Sequence, residues 1–293
     1  MATLSSINTE KVQFSYNCSN ESIGTYQIHC HSVYEIYYFI EGDVDYLVEG
    51  KQYHPTPHSL ILLSPNALHG VKVNSDQPYR RFTLHFHPDL LHMERRNILL
   101  SAFPKYEKFS EKEVYYENTD TYRLYSFFES FNDCSKQPAS LCEQLLPIYI
   151  EGLLAQLTIM CRTLRPVLVK GNVSDTITDI ITYLNDHLTE HISLDQLSEL
   201  FFISKHYLNR AFRKATGTTV GDYLIYKRII YARQLLITGY SATEAARKSG
   251  FHDYSSFYRS YRKNLGHTPI MDRRDIPSTT NTDLLKEQCI IKS

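Results

Sequence analysis

The chain has 293 residues, of which 42% are hydrophobic and 22% charged, so its composition is that of a globular protein and its length fits two domains. Its six cysteines form no C-x-x-C pair, which argues against a zinc knuckle or a disulfide framework and fits a reducing compartment. No stretch approaches the roughly 18 consecutive apolar residues of a membrane span, and the first residues lack a signal-peptide core. We therefore expect a bacterial cytoplasmic protein with no membrane partner.

The formal net charge of −1 conceals an uneven distribution of charge along the chain. Residues 1–173 sum to −4 and residues 174–199 to −6, whereas residues 200–275 carry 14 Lys and Arg against five Asp and Glu, a net charge of +9. A basic block of this kind is typical of a surface that binds a polyanion. The alternative, a well-solvated helical surface, usually mixes the two signs.

Short β-branched and aromatic runs between about residues 26 and 87 predict strands. The runs at 35–40, 46–48, 59–63 and 81–86 are separated by turns rich in Gly, Pro and Asn. Their length and spacing are those of a small barrel or sandwich. We predict an effector-binding all-β unit over residues 1–95.

Two histidine-containing motifs lie in this unit. His29-x-His31-x-x-x-Glu35, with Gly42 seven residues further on, and a later Pro65-Asn-Ala-Leu-His69 resemble the two sequence motifs of the cupin barrel. In metal-binding cupins these positions hold a divalent ion, and imidazole with carboxylate suits Zn, Fe, Mn or Ni. Two other interpretations stay open, in which the same side chains contact an organic effector directly or only cap strands and close a hydrogen-bond network.

Aromatic residues favour a carbohydrate as the effector, although they are also common strand residues. The aromatic residues near the histidines are Tyr34, Tyr37, Tyr38, Phe39 and Tyr46. The predicted effector-binding residues are His29, His31, Glu35, Tyr37 and His69. The metal candidates are His29, His31, Glu35 and His69, and no cofactor is expected.

Residues 96–172 are predicted to form a helical pair and a linker. The first helix carries Leu124, Phe127, Phe128 and Phe131 at helical spacing. The second follows the break at 136–138, carries Leu145, Ile148, Leu153, Leu157, Met160 and Leu164 on one stripe, and has further apolar residues off it. Two apolar faces favour a pair that also forms a homodimer, the alternative being a pair that only covers the barrel. Pro147 is expected to delay or kink the second helix, and residues 165–172 are expected to link the domains.

The remaining chain shows a repeated pattern of capped helices. After an amphipathic helix over Asp175–Leu188, residues 193–217 and 241–266 each begin with a capping box and contain two short helices that end at glycine. A long helix from about Thr219 to Leu236 joins them. The fold class predicted is thus multidomain, with an N-terminal all-β cupin-like barrel plus a helical pair and a C-terminal all-α tandem helix-turn-helix domain.

Residues 174–274 resemble the DNA-binding domain of the AraC/XylS family of transcription regulators. The stretch Gly250–Pro269 matches the family's Gly-Phe, Ser-x-Phe-x-Arg and Gly-x-x-Pro pattern, with Tyr261 at a position where Phe is common and Asp272 at one where Tyr or Phe is usual. The resemblance implies a DNA-binding domain over 173–275, containing the two modules, followed by a tail over 276–293. It also implies a regulator controlled by a small-molecule effector, with RNA polymerase as a further partner of an activator.

The resemblance assigns roles to individual residues. The predicted base-reading residues are His206, Asn209, Arg210, Ser255, Ser256 and Arg259. The predicted phosphate-contacting residues are Ser204, Lys205, Arg213, Lys214, Tyr254, Arg262 and Lys263. Two rival interpretations are a metal-responsive regulator and a metal-dependent cupin enzyme, and the second has no use for two capped helix-turn-helix units.

Overall fold

The computed structural model describes residues 2–104, 114–167 and 175–273. These divide into two compact units, one built mainly from residues up to 170 and the other mainly from residue 171 onward. Strands, with a few helices, make up the first unit, and the second is helical. The predicted linker residues 168–172 and the predicted tail 276–293 lie outside the described residues.

Ten strands of the described residues form two sheets in the N-terminal unit. They are β1 (Ala2–Asn8), β2 (Val12–Ser19), β3 (Ile23–His29), β4 (Tyr34–Glu41), β5 (Val44–Val48), β6 (Lys51–Tyr53), β7 (Ser59–Leu63), β8 (His69–Val73), β9 (Tyr79–Phe86) and β10 (Tyr115–Tyr116). The larger sheet has the order β1-β2-β9-β4-β7-β10 and the smaller one β3-β8-β5-β6. The predicted β-rich N-terminal domain is confirmed.

The central strand β4 is buried on both faces, which explains why its sequence is a continuous apolar run. Ile36 and Tyr38 pack in a core shared with the helices, whereas Tyr37 and Phe39 point to the opposite face and pack with residues of the smaller sheet. Alternation of side chains along a strand produces this division. The inward-facing side chains of the sheet therefore include Glu35, on the same face as Tyr37.

Three strands lie outside the range in which strands were predicted. β1 is mostly exposed and polar, so it offers little hydrophobic pattern, and β10 is only two residues long. β2 does alternate, since Val12 and Phe14 are buried and the residues beside them are not. β10 pairs with β7, so the larger sheet also takes residues from the part of the chain that was predicted to be helical.

In the part of this unit that the structure describes, three α-helices accompany the sheets: α1 (Met93–Leu99), α2 (Leu124–Cys134) and α3 (Ala139–Thr163). Pro147 lies inside α3 without delaying its start, because the buried face formed by Leu146, Ile150 and Leu153 holds the helix in the core despite the missing N–H. The predicted stripe was partly wrong: Ile148 is 66% exposed.

By length and composition alone, α3 could cross a membrane, with a mean hydropathy of 1.3 over its most apolar window. Core helices of soluble proteins meet the same criterion. Eight residues of α3 are buried, among them Leu154 and Leu157, which pack with the larger sheet and α2 in one core.

The C-terminal unit contains six α-helices among the described residues. They are α4 (Asp175–Asp186), α5 (Leu194–Leu200), α6 (Lys205–Thr216), α7 (Val220–Ile237), α8 (Ala242–Lys248) and α9 (Tyr254–Leu265). Both predicted capping boxes are present, at Ser193 and at Ser241. Leu197 is buried, whereas Leu200 is 49% exposed, because α5 ends there and the chain turns toward α6.

Candidate DNA-binding surface and histidine cluster

Helix α6 exposes a polar, basic face. The hydroxyl of Ser204 accepts a hydrogen bond from the Tyr207 N–H and so starts the helix, and Gly217, at φ 74°, ends it in the left-handed conformation. Leu208 and Phe212 are buried, and this fixes which side faces solvent. The predicted reading residues His206 and Arg210 are exposed and Asn209 is half-buried.

Helix α9 has the same design. Its carboxylate cap is Asp253, whose Oδ1 accepts a hydrogen bond from the Ser256 N–H at 2.7 Å. Phe257, Tyr261 and Leu265 form its buried row. The residues left exposed are Tyr254, Ser255, Arg259, Arg262 and Lys263, while Ser256 is half-buried and accepts from Arg259 at 3.5 Å.

The predicted phosphate-contacting residues differ in whether they already have partners within the protein. The Ser204 hydroxyl caps α6, and the Lys205 ammonium forms an ion pair with Asp195 of α5, so both are already engaged within the module. Arg213 and Lys214 are exposed at the far end of α6.

Sequence reasoning missed Asp253 as the N-cap of α9. An Asp directly before the predicted helix was the available signal.

Helix α7 packs with elements of both modules. Near its start the Tyr223 ring meets that of Phe212 edge-on, with centroids 5.6 Å apart. Further along, the Arg228 Nε–H donates to the Leu188 carbonyl at 2.8 Å.

Gly250, at the turn before α9, has φ 88°, and a Cβ there would lie 2.9 Å from the Thr189 backbone. Glycine is therefore needed at this turn on both counts.

The N-terminal unit gathers four imidazoles around one carboxylate. Glu35 Oε2 lies 2.7 Å from His31 Nε2, 3.0 Å from His69 Nε2 and 3.3 Å from His85 Nε2. The ring of His29 meets that of His69 at 4.3 Å between centroids. Strands β3, β4, β8 and β9 carry His29, Glu35, His69 and His85, and His31 lies between β3 and β4. Glu35, His31 and His69 are buried. We call these five residues the His/Glu cluster.

Backbone carbonyls fix the tautomers of three of the imidazoles. The Nδ1 atoms of His29, His31 and His69 lie within 3.0 Å of the carbonyls of Gln27, Val33 and Ala67, respectively. A carbonyl only accepts, so each Nδ1 carries the proton and each Nε2 of a neutral ring carries a lone pair. The second-shell hydrogen bond of a metal-ligating histidine has this arrangement.

Burial sets the charges of the cluster. It lowers the pKa of His29 to about 3 and that of His31 to about 4, so both rings are neutral at physiological pH. Burial alone would raise the pKa of Glu35, but the imidazoles of His85 and His69 hold it well below its usual range. A buried carboxylate thus lies within hydrogen-bonding distance of the His31 Nε2, at 2.7 Å, with two further imidazoles beside it.

Among the described residues, two sets of three ligand atoms are close enough to share an ion, with the atoms of each set within 4.8 Å of one another. They are His29, Glu35 and His69, and His31, Glu35 and His85. Within the described part of the chain, His69 Nε2 and both nitrogens of His85 have no hydrogen-bond partner. The residues therefore fit a divalent cation. Sequence reasoning missed His85, which lies directly opposite Glu35 in the β4–β9 pairing.

Tyr37, the fifth predicted effector residue, is a buried core side chain. Its hydroxyl is 2.9 Å from that of Tyr79, and its ring packs against Tyr46. Tyr38 points to the other face of β4, against Phe128 of α2. The aromatic residues of this region are thus divided between two cores and do not form one patch.

Two family models match the chain. One, described as an AraC-like ligand binding domain, matches residues 24–141, and the other, a helix-turn-helix domain, matches residues 197–275. The chain is 26% identical to the uncharacterized HTH-type transcriptional regulator YbfI of Bacillus subtilis over 78% of this chain and 79% of YbfI. It is 31% identical to the HTH-type transcriptional activator AarP of Providencia stuartii over 38% of this chain and 82% of AarP.

Among solved structures, the DNA-binding domain of AdpA, a global transcriptional factor in complex with a target DNA, is 30% identical to this chain. The match covers 33% of this chain and 87% of that one, with a TM-score of 0.32. The families and relatives matched are those of transcription regulators and not of enzymes.

Proposed function

Because the chain belongs to the AraC/XylS family and is a DNA-binding transcription regulator with a ligand-binding domain, we propose that it reads two major-groove segments per protomer through α6 and α9. The observation that carries this proposal is that both helices are capped, buried on one side and basic on the other, within one compact unit. Recognition helices of such modules lie in the major groove with side chains at base edges. Successive groove segments on one DNA face are about 34 Å apart.

The proposed base contacts are made by polar side chains in the first halves of the two helices. They come from His206, Asn209 and Arg210 in α6 and from Ser255, Ser256 and Arg259 in α9. Arg pairs with guanine and Asn with adenine through two hydrogen bonds each. The proposed phosphate contacts come from Ser204, Lys205, Arg213, Lys214, Tyr254, Arg262 and Lys263.

Selection of bound duplexes from a random DNA pool tests this proposal. The full chain should enrich sequences with two preferred segments whose centres are about 10 base pairs apart. Asn209→Ala should relax only one segment and Arg259→Ala only the other. Enrichment of a single segment, or loss of both preferences in either variant, would contradict reading by two helices.

For the ligand-binding domain, we propose a polar small molecule as the effector, with a carbohydrate as the first class. Polar side chains on the inward face of the larger sheet support it: the Ser15 and Thr83 hydroxyls are 2.6 Å apart, and the Asn17 amide donates to Ser15 at 2.7 Å. These groups both donate and accept, as sugar recognition requires. Ligand binding in the barrel would then change DNA affinity by favouring one of two arrangements of the protein.

A divalent cation is the second candidate, and the His/Glu cluster favours it. Neutral imidazole nitrogens and a carboxylate are ligands of Zn²⁺ and similar ions. A cation beside Glu35 would be coordinated by its carboxylate and by the neighbouring imidazole nitrogens. The ion would be held either by His29, Glu35 and His69 or by His31, Glu35 and His85.

Thermal melting of the metal-free full chain with a panel of sugars and of Zn²⁺, Mn²⁺ and Ni²⁺ separates the two classes. If the cluster binds metal, one ion stabilises the protein and changes its DNA affinity, and Glu35→Gln and His69→Gln abolish both effects. His54→Gln, at a 64% exposed side chain outside the cluster, is the matched control. Stabilisation by a sugar that survives chelation and Glu35→Gln would assign the effector to the carbohydrate class.

We also propose that the protein is a homodimer joined through α3. Leu141, Ile148 and Ile159 are 43%, 66% and 56% exposed, and their spacing of seven and eleven residues places them in one stripe. Ile148→Glu should convert the dimer to a monomer in light scattering, whereas Leu4→Glu, at an exposed leucine of β1, should not.

The proposed location is the bacterial cytoplasm. RNA polymerase is a further proposed partner if the regulator activates transcription.

A further inference from the structure

Two cysteines meet at the turn between α2 and α3. Cys134 is the last residue of α2, and Cys142 lies in the first turn of α3. Their Sγ atoms are 2.8 Å apart, and the two residues are only 3% and 5% exposed. A disulfide bond has an S–S length of about 2.05 Å, so a small movement of the connecting turn brings the sulfurs to bonding distance.

The chain offers an internal control for this pair. Cys161 is also on α3 and half-buried, but the rise of an α-helix places it about 28 Å from Cys142 along the axis. It therefore cannot join either of the two thiols while α3 is intact. The turn that connects α2 and α3 is exposed at Lys136 and Gln137. It can therefore change conformation without disturbing the core.

We propose that Cys134 and Cys142 form a reversible intramolecular disulfide when the cell meets a disulfide-type oxidant such as oxidised glutathione. One thiolate attacks a sulfur of the oxidant and releases one glutathione thiolate. The second cysteine, as thiolate, then displaces the other glutathione from the mixed disulfide. The protein loses two electrons and two protons, and the oxidant becomes two glutathione thiols.

The surroundings of the pair determine how fast this reaction runs. Burial, together with the neighbouring Cys142 thiol, raises the pKa of Cys134 to about 12, so the reactive thiolate is scarce at neutral pH. Oxidation should therefore be slow, accelerate as the pH rises, and pass through transient opening of the exposed turn. Once formed, the bond is shielded from reductants in the same way, and it ties the two helices at their shared end.

The test uses the full chain, oxidised with glutathione disulfide for a day at pH 8.5 and compared with the reduced protein. The oxidised chain should lose two titratable thiols and the mass of two hydrogens, and peptide mapping should join Cys134 to Cys142. Its melting temperature should rise by about 5 °C, as expected for closing a short loop, and dithiothreitol should reverse the change.

Variants decide whether these two thiols are responsible. Cys134→Ala and Cys142→Ala should each abolish the two-hydrogen loss, and Cys161→Ala should retain it. If a core variant fails to fold, mapping of the wild-type chain alone still decides the question. Retention of all thiols, a glutathione adduct as the end product, or a link that includes Cys161 or a second chain would overturn the proposal.

Discussion

Phe202 occupies an unfavourable position in the turn between α5 and α6. Its φ is 53°, in the left-handed region that bulky residues avoid, and its side chain is 95% exposed. Phe202→Gly should therefore raise the free energy of unfolding by about 1 kcal/mol, less the entropy that glycine adds to the unfolded chain. Phe202→Ala keeps the Cβ and should give no such gain in a denaturant titration. Equal effects of the two changes on the free energy of unfolding would show that the aromatic ring, and not the backbone conformation, causes the difference from wild type.

Arg259 and Lys263 lie one turn apart on α9 and should contribute differently to DNA binding. Arg259→Ala should cost about 1–3 kcal/mol on the selected site and relax its sequence preference, because a guanidinium can pair with one base in two hydrogen bonds. Lys263→Ala should lower the affinity for all DNA sequences by a similar amount. Fluorescence anisotropy on specific and random duplexes measures both. Equal losses on the two duplexes for Arg259→Ala would contradict base reading.

Single residues show where sequence reasoning reached its limit. His29, His31 and Glu35 were found in one short motif and His69 in a second, because each motif is readable in a few consecutive residues. His85 completes the cluster from a distant strand, and only the pairing of β4 with β9 places it opposite Glu35. Strand register depends on the whole sheet, so the sequence of β9 alone does not reveal it.

At the scale of elements, the end of the second module contains a buried polar network. Asp272 lies 3.1 Å from Arg233 Nε of α7 and 2.6 Å from His267 Nε2, and it accepts a hydrogen bond from the Tyr261 hydroxyl of α9. Burial would raise the pKa of Asp272, but hydrogen bonding by His267 and the charge of Arg233 lower it. Two positions that depart from the family pattern, Tyr261 and Asp272, therefore belong to one interaction.

A double-mutant cycle tests this coupling. Asp272→Phe alone should cost about 3 kcal/mol, because the polar groups around it lose their shared carboxylate. Tyr261→Phe alone should cost about 1 kcal/mol. The double variant, which restores the residue types usual in the family, should cost at least 1 kcal/mol less than the sum. Additive losses in chemical denaturation would mean that the two positions are independent.

Elements with local signals were predicted well, and those that depend on tertiary pairing were not. The capping boxes at Ser193 and Ser241 are short-range features and appear as expected. β10 exists only because β7 offers a free edge to Tyr115 and Tyr116. The exposed Ile148 on α3 was misplaced because apolar residues surround that helix, so periodicity alone did not select the buried face.

For the whole molecule, the distribution of charge determines how the protein meets DNA. The basic excess lies in residues 200–275, and the acidic residues concentrate just before it. Of the proposed phosphate-contacting cations, Lys205 is paired with Asp195, which leaves Arg213, Lys214, Arg262 and Lys263 as exposed charges. Each cation that neutralises a phosphate releases condensed counterions from DNA.

The affinity of a protomer should therefore fall steeply with salt. Four phosphate contacts predict a slope of about −3.6 for log K against log salt, which is a loss of roughly 150-fold between 50 and 200 mM. Lys263→Ala should make the slope shallower by about 0.9, whereas Asp195→Ala should make it steeper because Lys205 becomes free to reach a phosphate. Titrations at several salt concentrations on random duplex measure these slopes without knowledge of the operator. A slope that neither substitution changes would show that the exposed ends of α6 and α9 do not face the DNA backbone.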